Sequence, residues 1–230
     1  RRPLINMHLS LTSRIICGVF LGACMLAPAA AFAQITTEDI GISADQVSGD
    51  FVVGPGKTEV TIDPGEARTV DIIVTNRMGE EKTFRLEVAD FVGTQNTDQT
   101  VRILEGERGP YTLKDLLAVP TRTFNLKHGE RARIPVTITM PFDAEPGGRY
   151  GSILVSTQSD TTDESAAGTA TIVSRVGTLF FVTVPGEVLH KGHLEEFDTK
   201  TGARVFSEGP VDFTILYRNT GNIHTNPYAL

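Results

Sequence analysis

The chain has 230 residues, 40% hydrophobic and 21% charged, with 22 glycines and 12 prolines, a balance that supports a buried core and excludes disorder as the main state. Glycine does not recur at every third residue, which excludes collagen. The formal net charge is −7, and because Arg1, Arg2 and Arg14 precede residue 34 while no acid does, the remainder carries 18 basic against 28 acidic side chains, a surface that repels nucleic acid.

Arg14 is followed by an apolar run from Ile15 to Leu26 of the length of a signal h-region. Pro28 breaks it, and Ala31-Phe32-Ala33 supplies a small-x-small cleavage pattern. Residues 1–33 are therefore read as a signal peptide, with Met7 as a plausible initiator, Gln34 as the mature start and an extracytoplasmic destination. Two other readings stay open: an uncleaved anchor, since Ile15 to Ala33 nearly spans a bilayer, and acylation of Cys24, since Leu21-Gly22-Ala23-Cys24 resembles a lipobox. Cys17 and Cys24 both lie in this segment, so the mature chain has no thiol for a disulfide, a nucleophile or a metal.

Residues 34–46 are polar and read as a spacer. After them the period is two. Val70, Ile72 and Val74 alternate with Asp71 and Ile73; Phe84, Leu86 and Val88 with Arg85 and Glu87; Ile134, Val136 and Ile138 with Arg133, Pro135 and Thr137. Turn formers separate the runs at Asp63-Pro64-Gly65-Glu66, Asn76-Arg77-Met78-Gly79, His128-Gly129-Glu130 and Glu145-Pro146-Gly147-Gly148. Strands at this spacing predict an all-β, immunoglobulin-like sandwich over residues 47–186. Pro135 cannot donate a ladder hydrogen bond, so its strand is expected at an edge or bulged. Tyr111 to Leu117 alone looks helical. A long hairpin runs from Tyr150 to Val184 with a polar tip near Thr157 to Ser165.

Beyond Val184-Pro185-Gly186-Glu187, strand-like segments recur at Gly192 to Phe197 and Val211 to Arg218. Val211 to Gly221 echoes Val70 to Gly79, an alternating strand followed by asparagine and a glycine turn, so residues 187–230 are expected to begin a second β domain, cut short.

Asp63-Pro64-Gly65-Glu66 followed by Val70 to Asn76 resembles the first strands of immunoglobulin-like domains of bacterial surface proteins and pilus-type chaperones. With Phe124 to Glu130, Ile134 to Ile138, Met140 to Ala144 and Pro146 to Gly151 in order, residues 47 to 225 resemble the N-terminal domain of the WxL-interacting protein family and related bacterial surface proteins. The resemblance implies a membrane-anchored envelope protein with tandem β domains, peptidoglycan binding in the first and partner contact in the second. It also implies a C-terminal transmembrane helix that would lie beyond residue 230. It supplies no residue-level binding motif.

Gly56-Lys57-Thr58 looks like the end of a phosphate loop, but Phe51 stands where the first glycine is required. The sequence lacks G-x-S-x-G, H-E-x-x-H and an EF-hand loop. His190 and His193 fall on opposite faces of an extended chain, and His128 sits in a turn, where it is expected to be exposed. Asp160, Asp163 and Glu164 read as a solvated loop, not a calcium cage. No cofactor is expected. Lys127, Arg131 and Arg133 cluster in an acidic chain, with both arginines on the outer face of their strand, a candidate patch for an anionic glycan or a partner's carboxylate; Arg149 and Tyr150 are further contact candidates. The resulting expectation is a non-catalytic exported envelope module, structural or adhesive, that takes cell-wall glycan or an envelope protein as partner. The alternatives are a periplasmic assembly chaperone, with Thr178, Phe180, Val182 and Val184 as a donor face for strand addition, and an accessory domain of an envelope enzyme.

Overall fold

The computed structural model describes residues 34–43, 45–94, 100–157 and 174–225. The expected signal peptide with its alternatives, the acidic hairpin tip and the last five residues of the expected second domain lie outside the described residues. In chain order the strands are β1 (Thr36–Asp39), β2 (Asp50–Gly54), β3 (Lys57–Thr61), β4 (Ala67–Arg77), β5 (Lys82–Gly93), β6 (Val101–Leu104), β7 (Leu117–Ala118), β8 (Thr123–Leu126), β9 (Glu130–Thr139), β10 (Gly147–Thr157), β11 (Arg175–Val184), β12 (Gly192–Thr199) and β13 (Phe213–Asn219).

Two sheets form the expected immunoglobulin-like sandwich. The first runs β1-β9-β4-β2 with β7 also on β9, the second β3-β11-β10-β5-β6 with β8 also on β5, and β12 and β13 pair separately. Alternation decides which side chains meet. Val70, Ile72 and Val74 lie opposite Val136, Ile134 and Ala132 in the β4–β9 register, so the apolar members of both strands share one face. That face packs on Phe84, Leu86, Ile153, Val155, Phe180 and Val182 of the second sheet. The chain crosses between sheets at Pro55, where β2 ends in one and β3 begins in the other.

Three expectations change. Residues 34–46 are no mere spacer: β1 pairs with Glu130–Arg133, and Ile35 packs against the core. Pro135 lies inside a flanked strand, not at an edge or a bulge. On the side away from β4, β1 covers β9 as far as Arg133 and β7 covers Thr137 and Ile138, so the residue without an N–H falls in the gap between them. The helix of Tyr111 to Leu117 shrinks to one 3₁₀ turn, Lys114–Leu116. Asp90 captures the N–H groups of Leu113 and Lys114, and Leu117 pairs with Ile138 as a strand residue.

Asn76 ends β4 fully buried. Its Nδ2 donates to the carbonyls of Glu80 and Leu126, both at 2.8 Å, and its Oδ1 accepts from Met78 N–H at 2.9 Å. Asn219 ends β13 with the same local stitch, Nδ2 to Ile223 O at 2.6 Å and Gly221 N–H to Oδ1 at 2.9 Å. The sequence echo thus has a hydrogen-bond counterpart.

Candidate partner-binding surfaces

Alternation puts Arg131 and Arg133 on the outer face of the first sheet, as expected, but cross-strand neighbours bring acids to both. Arg131 Nη1 lies 3.5 Å from Glu38 of β1, and Arg133 Nη1 lies 3.2 Å from Asp71 of β4. On the same sheet Arg77 makes a two-pronged pair with Asp50, at 2.9 and 2.6 Å. Three arginines therefore meet three carboxylates, and the face carries paired charge in place of a basic patch. Lys127 stands apart in the β8–β9 turn, where its backbone N–H donates to Glu130 Oε2 at 2.8 Å. Exposed pairs of this kind contribute about 0–1 kcal/mol each. Replacing Arg131 and Arg133 together with alanine is expected to shift the thermal midpoint by no more than a few degrees and to leave sedimentation with purified cell walls unchanged; loss of sedimentation in the double variant would restore the glycan patch.

His128 is bonded at both ring nitrogens and not free in solvent. Gly79 N–H donates to Nδ1 at 3.1 Å, and Nε2 faces Ser43 O at 3.2 Å, so it staples a turn. Among the described residues no group of three His, Cys, Asp or Glu could hold a metal ion, and no helix is long and apolar enough to cross a membrane.

Arg149 and Tyr150 are placed by the start of β10. Arg149 folds back, with guanidinium hydrogen bonds to Gly148 O at 3.1 Å and Glu145 O at 3.3 Å. Tyr150 joins an aromatic cluster on the outer face of the second sheet, 5.5 Å from Phe181, 6.0 Å from Tyr111 and 6.1 Å from Phe91. Burial pushes its hydroxyl above the usual tyrosine pKa. Gly148 is required beneath it, because a Cβ there would meet the Tyr150 hydroxyl oxygen at 2.0 Å. Tyr150 is thus mainly a packing residue at this rim.

The donor face expected for strand addition is not available. Phe180, Val182 and Val184 are buried in the protein's own core, and β3 covers the β11 edge in parallel from Leu179 to Thr183. What remains open is the first part of β11. Leu179 N–H donates to Gly56 O at 3.0 Å, so by the two-residue alternation the Gly177 N–H lies on the same edge, where no strand pairs with it among the described residues. Gly177 is exposed. Beside it lies a groove of ≈ 440 Å³ lined by the apolar Val101, Ile103, Leu154 and Leu179 and by the charged Glu105 and Arg175. Arg175 is held there by Glu105 at 2.6 Å and Glu87 at 2.8 Å. Single-sequence reasoning finds the strand but not its open end, because nothing local records where a neighbouring strand stops.

No protein-family model matches the chain, and no curated protein matches it. Among solved structures it is similar to a chain from work on a chaperone-tip adhesin complex of CFA/I fimbriae biogenesis, at 13% identity and TM-score 0.44, over 76% of this chain and 68% of that one. It is similar to the class 5 fimbriae chaperone CfaA at 13% identity and TM-score 0.42, over 75% and 68% of the two chains. It is also similar to the ASH/PapD-like domain 7 of human CEP192 at 11% identity and TM-score 0.41, over 69% and 98%.

Proposed function

We propose that the chain is a non-catalytic, extracytoplasmic module of the cell envelope that engages a protein partner by strand addition at the open edge of β11. The observation that carries this reading is the Gly177 edge, unpaired among the described residues, beside a mainly apolar groove. An added strand would extend the ladder begun by β3, with main-chain hydrogen bonds giving affinity and the groove taking alternate side chains. Paired charge on the opposite sheet argues against an anionic glycan as the ligand. The apolar run and the small-x-small pattern read as a signal peptide support an extracytoplasmic setting.

Two substitutions separate backbone pairing from mere shape. Gly177→Ala adds a Cβ that meets only the end of the Leu154 side chain, at 2.9 Å, and keeps the N–H. Gly177→Pro removes the N–H on the open edge, where no internal ladder bond is lost. In co-purification from envelope extracts, wild type and Gly177→Ala are expected to retain the same protein while Gly177→Pro loses it. Retention by all three would sink strand addition at this edge, and turnover in an activity screen of residues 34–230 would sink the non-catalytic reading.

A further inference from the structure

At the other end of the same outer face of the second sheet, just after β13, Asn222 ties several segments together. Gly148 N–H donates to Asn222 O at 2.7 Å, Asn222 Nδ2 reaches Pro146 O at 3.1 Å and Glu187 O at 3.2 Å, and Leu189 N–H donates to Asn222 Oδ1 at 2.7 Å. The backbones close up so tightly that a Cβ on Gly221 would fall 1.9 Å from Leu189 O. Two residues beyond Asn222, the His224 ring lies over the outer face of the second sheet, 4.8 Å from the Phe181 ring and 5.9 Å from that of Tyr150. The segment from residue 221 to 225 is thus docked by one polar clamp and one imidazole.

We infer that this docking is a pH-dependent latch: neutral His224 seats residues 222–225 on the rim of the sandwich, and protonation of its ring releases them. The groups facing the ring are Glu59 and Lys57 of β3, Tyr150 of β10, Phe181 of β11 and His190 of the preceding linker. Nε2 lies 3.8 Å from Glu59 Oε1, but that carboxylate is already paired with Lys57, whose Nζ sits 4.5 Å over the Phe181 ring. Nδ1 is buried and has no hydrogen-bond partner among the described residues. A neutral ring can leave Nδ1 as a bare acceptor, whereas the imidazolium must place a second N–H there, unmatched. Burial, with Lys57 and His190 as lesser causes against the opposing pull of Glu59, holds the His224 pKa below its usual value.

The sign follows from linkage. A histidine whose docked pKa lies below its free value of about 6.5 binds fewer protons when docked, so docking is fully held above about pH 6.5 and weakens as pH falls toward and through the docked value. One unit of difference corresponds to about a tenfold change in the docking equilibrium.

Amide hydrogen exchange on residues 34–230, corrected for intrinsic rates, reads the clamp directly at the Gly148 N–H. Its protection is expected to drop between pH 7.5 and 5.0 while that of Ile72 holds, and an NMR titration should place the His224 ring below the usual midpoint. His224→Phe should keep protection at both pH values, His224→Gln should be pH-independent whatever its level, and Glu59→Gln should move the His224 midpoint lower. Protection of Gly148 that ignores pH in the wild type, the same pH dependence in His224→Gln, or a ring midpoint at or above about 6.5 would each overturn the latch. Gly148 pairs with Thr183 and Gly177 with Leu154, at opposite ends of the β10–β11 ladder, so loss of partner binding in Gly177→Pro with the pH response intact, or the reverse, tells which proposal has failed.

Discussion

Replacing Ile72 or Val136 with aspartate is expected to leave residues 34–230 without a cooperative unfolding transition at 25 °C. Both side chains are fully buried on the core face of the β4–β9 ladder, Ile72 opposite Ile134 and Val136 opposite Val70, amid the cluster that joins the two sheets. A carboxylate placed there must shed its water and finds no cation among the core residues, a cost of several kcal/mol even after relaxation. Native domains hold about 5–15 kcal/mol in all, so either change removes much or all of the margin. Arg85→Ala and Thr137→Ala test the opposite faces of the same sheets. Arg85 is exposed, and Thr137 shares only an exposed hydroxyl contact with Thr69, at 3.0 Å, so both should move stability by about 1 kcal/mol or less. Equal losses in the two sets, read by urea unfolding, would mean that the strand faces are misassigned.

The second large effect is expected at Asp90. This buried carboxylate accepts three backbone N–H groups, from Gly109 at 2.9 Å, Leu113 at 3.0 Å and Lys114 at 2.9 Å, and so anchors the whole crossing from β6 to β7. Burial alone would raise its pKa, but the hydrogen bonds together outweigh that and hold it below the usual aspartate value. The stabilisation it contributes is therefore present above about pH 4 and is lost as pH falls through the lower, folded value. Asp90→Ala leaves three N–H groups unmatched and should cost on the order of 3 kcal/mol. Asp90→Asn turns a donor toward one of them and should recover only part of the loss. Both variants should lack the acid-dependent step that wild type shows in unfolding free energy below about pH 4; a step of wild-type size in Asp90→Asn would assign it to another carboxylate.

What the sequence makes legible is the part governed by local periodicity. Val70, Ile72 and Val74 announce a buried strand face because their spacing and the core's demand coincide, and the structure places all three inward. The acidic neighbours of the arginine pair are illegible for the converse reason. The pair's outward direction follows from alternation, but Glu38 and Asp71 reach it from strands far away in the chain, and pairing across a sheet leaves no local trace. The same holds for Asp90, whose partners are backbone groups and so carry no residue signature at all. The helix expected after Tyr111 stops at the single 3₁₀ turn because Leu117 turns extended and pairs with Ile138, again a partner far away in the chain. Asn76 and Asn219 sit between these cases, since their stitches close within four residues and the repeat is visible as a repeat, though its hydrogen bonds are not.

β10 differs from the other strands of the sandwich in having no solvent side along most of its length. Ile153 and Val155 face the core, yet Ser152 and Leu154 on the other face are buried as well, Ser152 with its hydroxyl donating to Ala89 O at 3.0 Å. In most strands drift over generations is absorbed by the outward positions, where size and polarity are free. β10 offers no such positions between Gly151 and Val155, and Gly151 itself has Leu113 Cβ only 3.0 Å from where a Cβ would stand. Across diverging descendants of this chain, the five residues Gly-Ser-Ile-Leu-Val should change least, and they form the segment by which a distant relative would first be recognised.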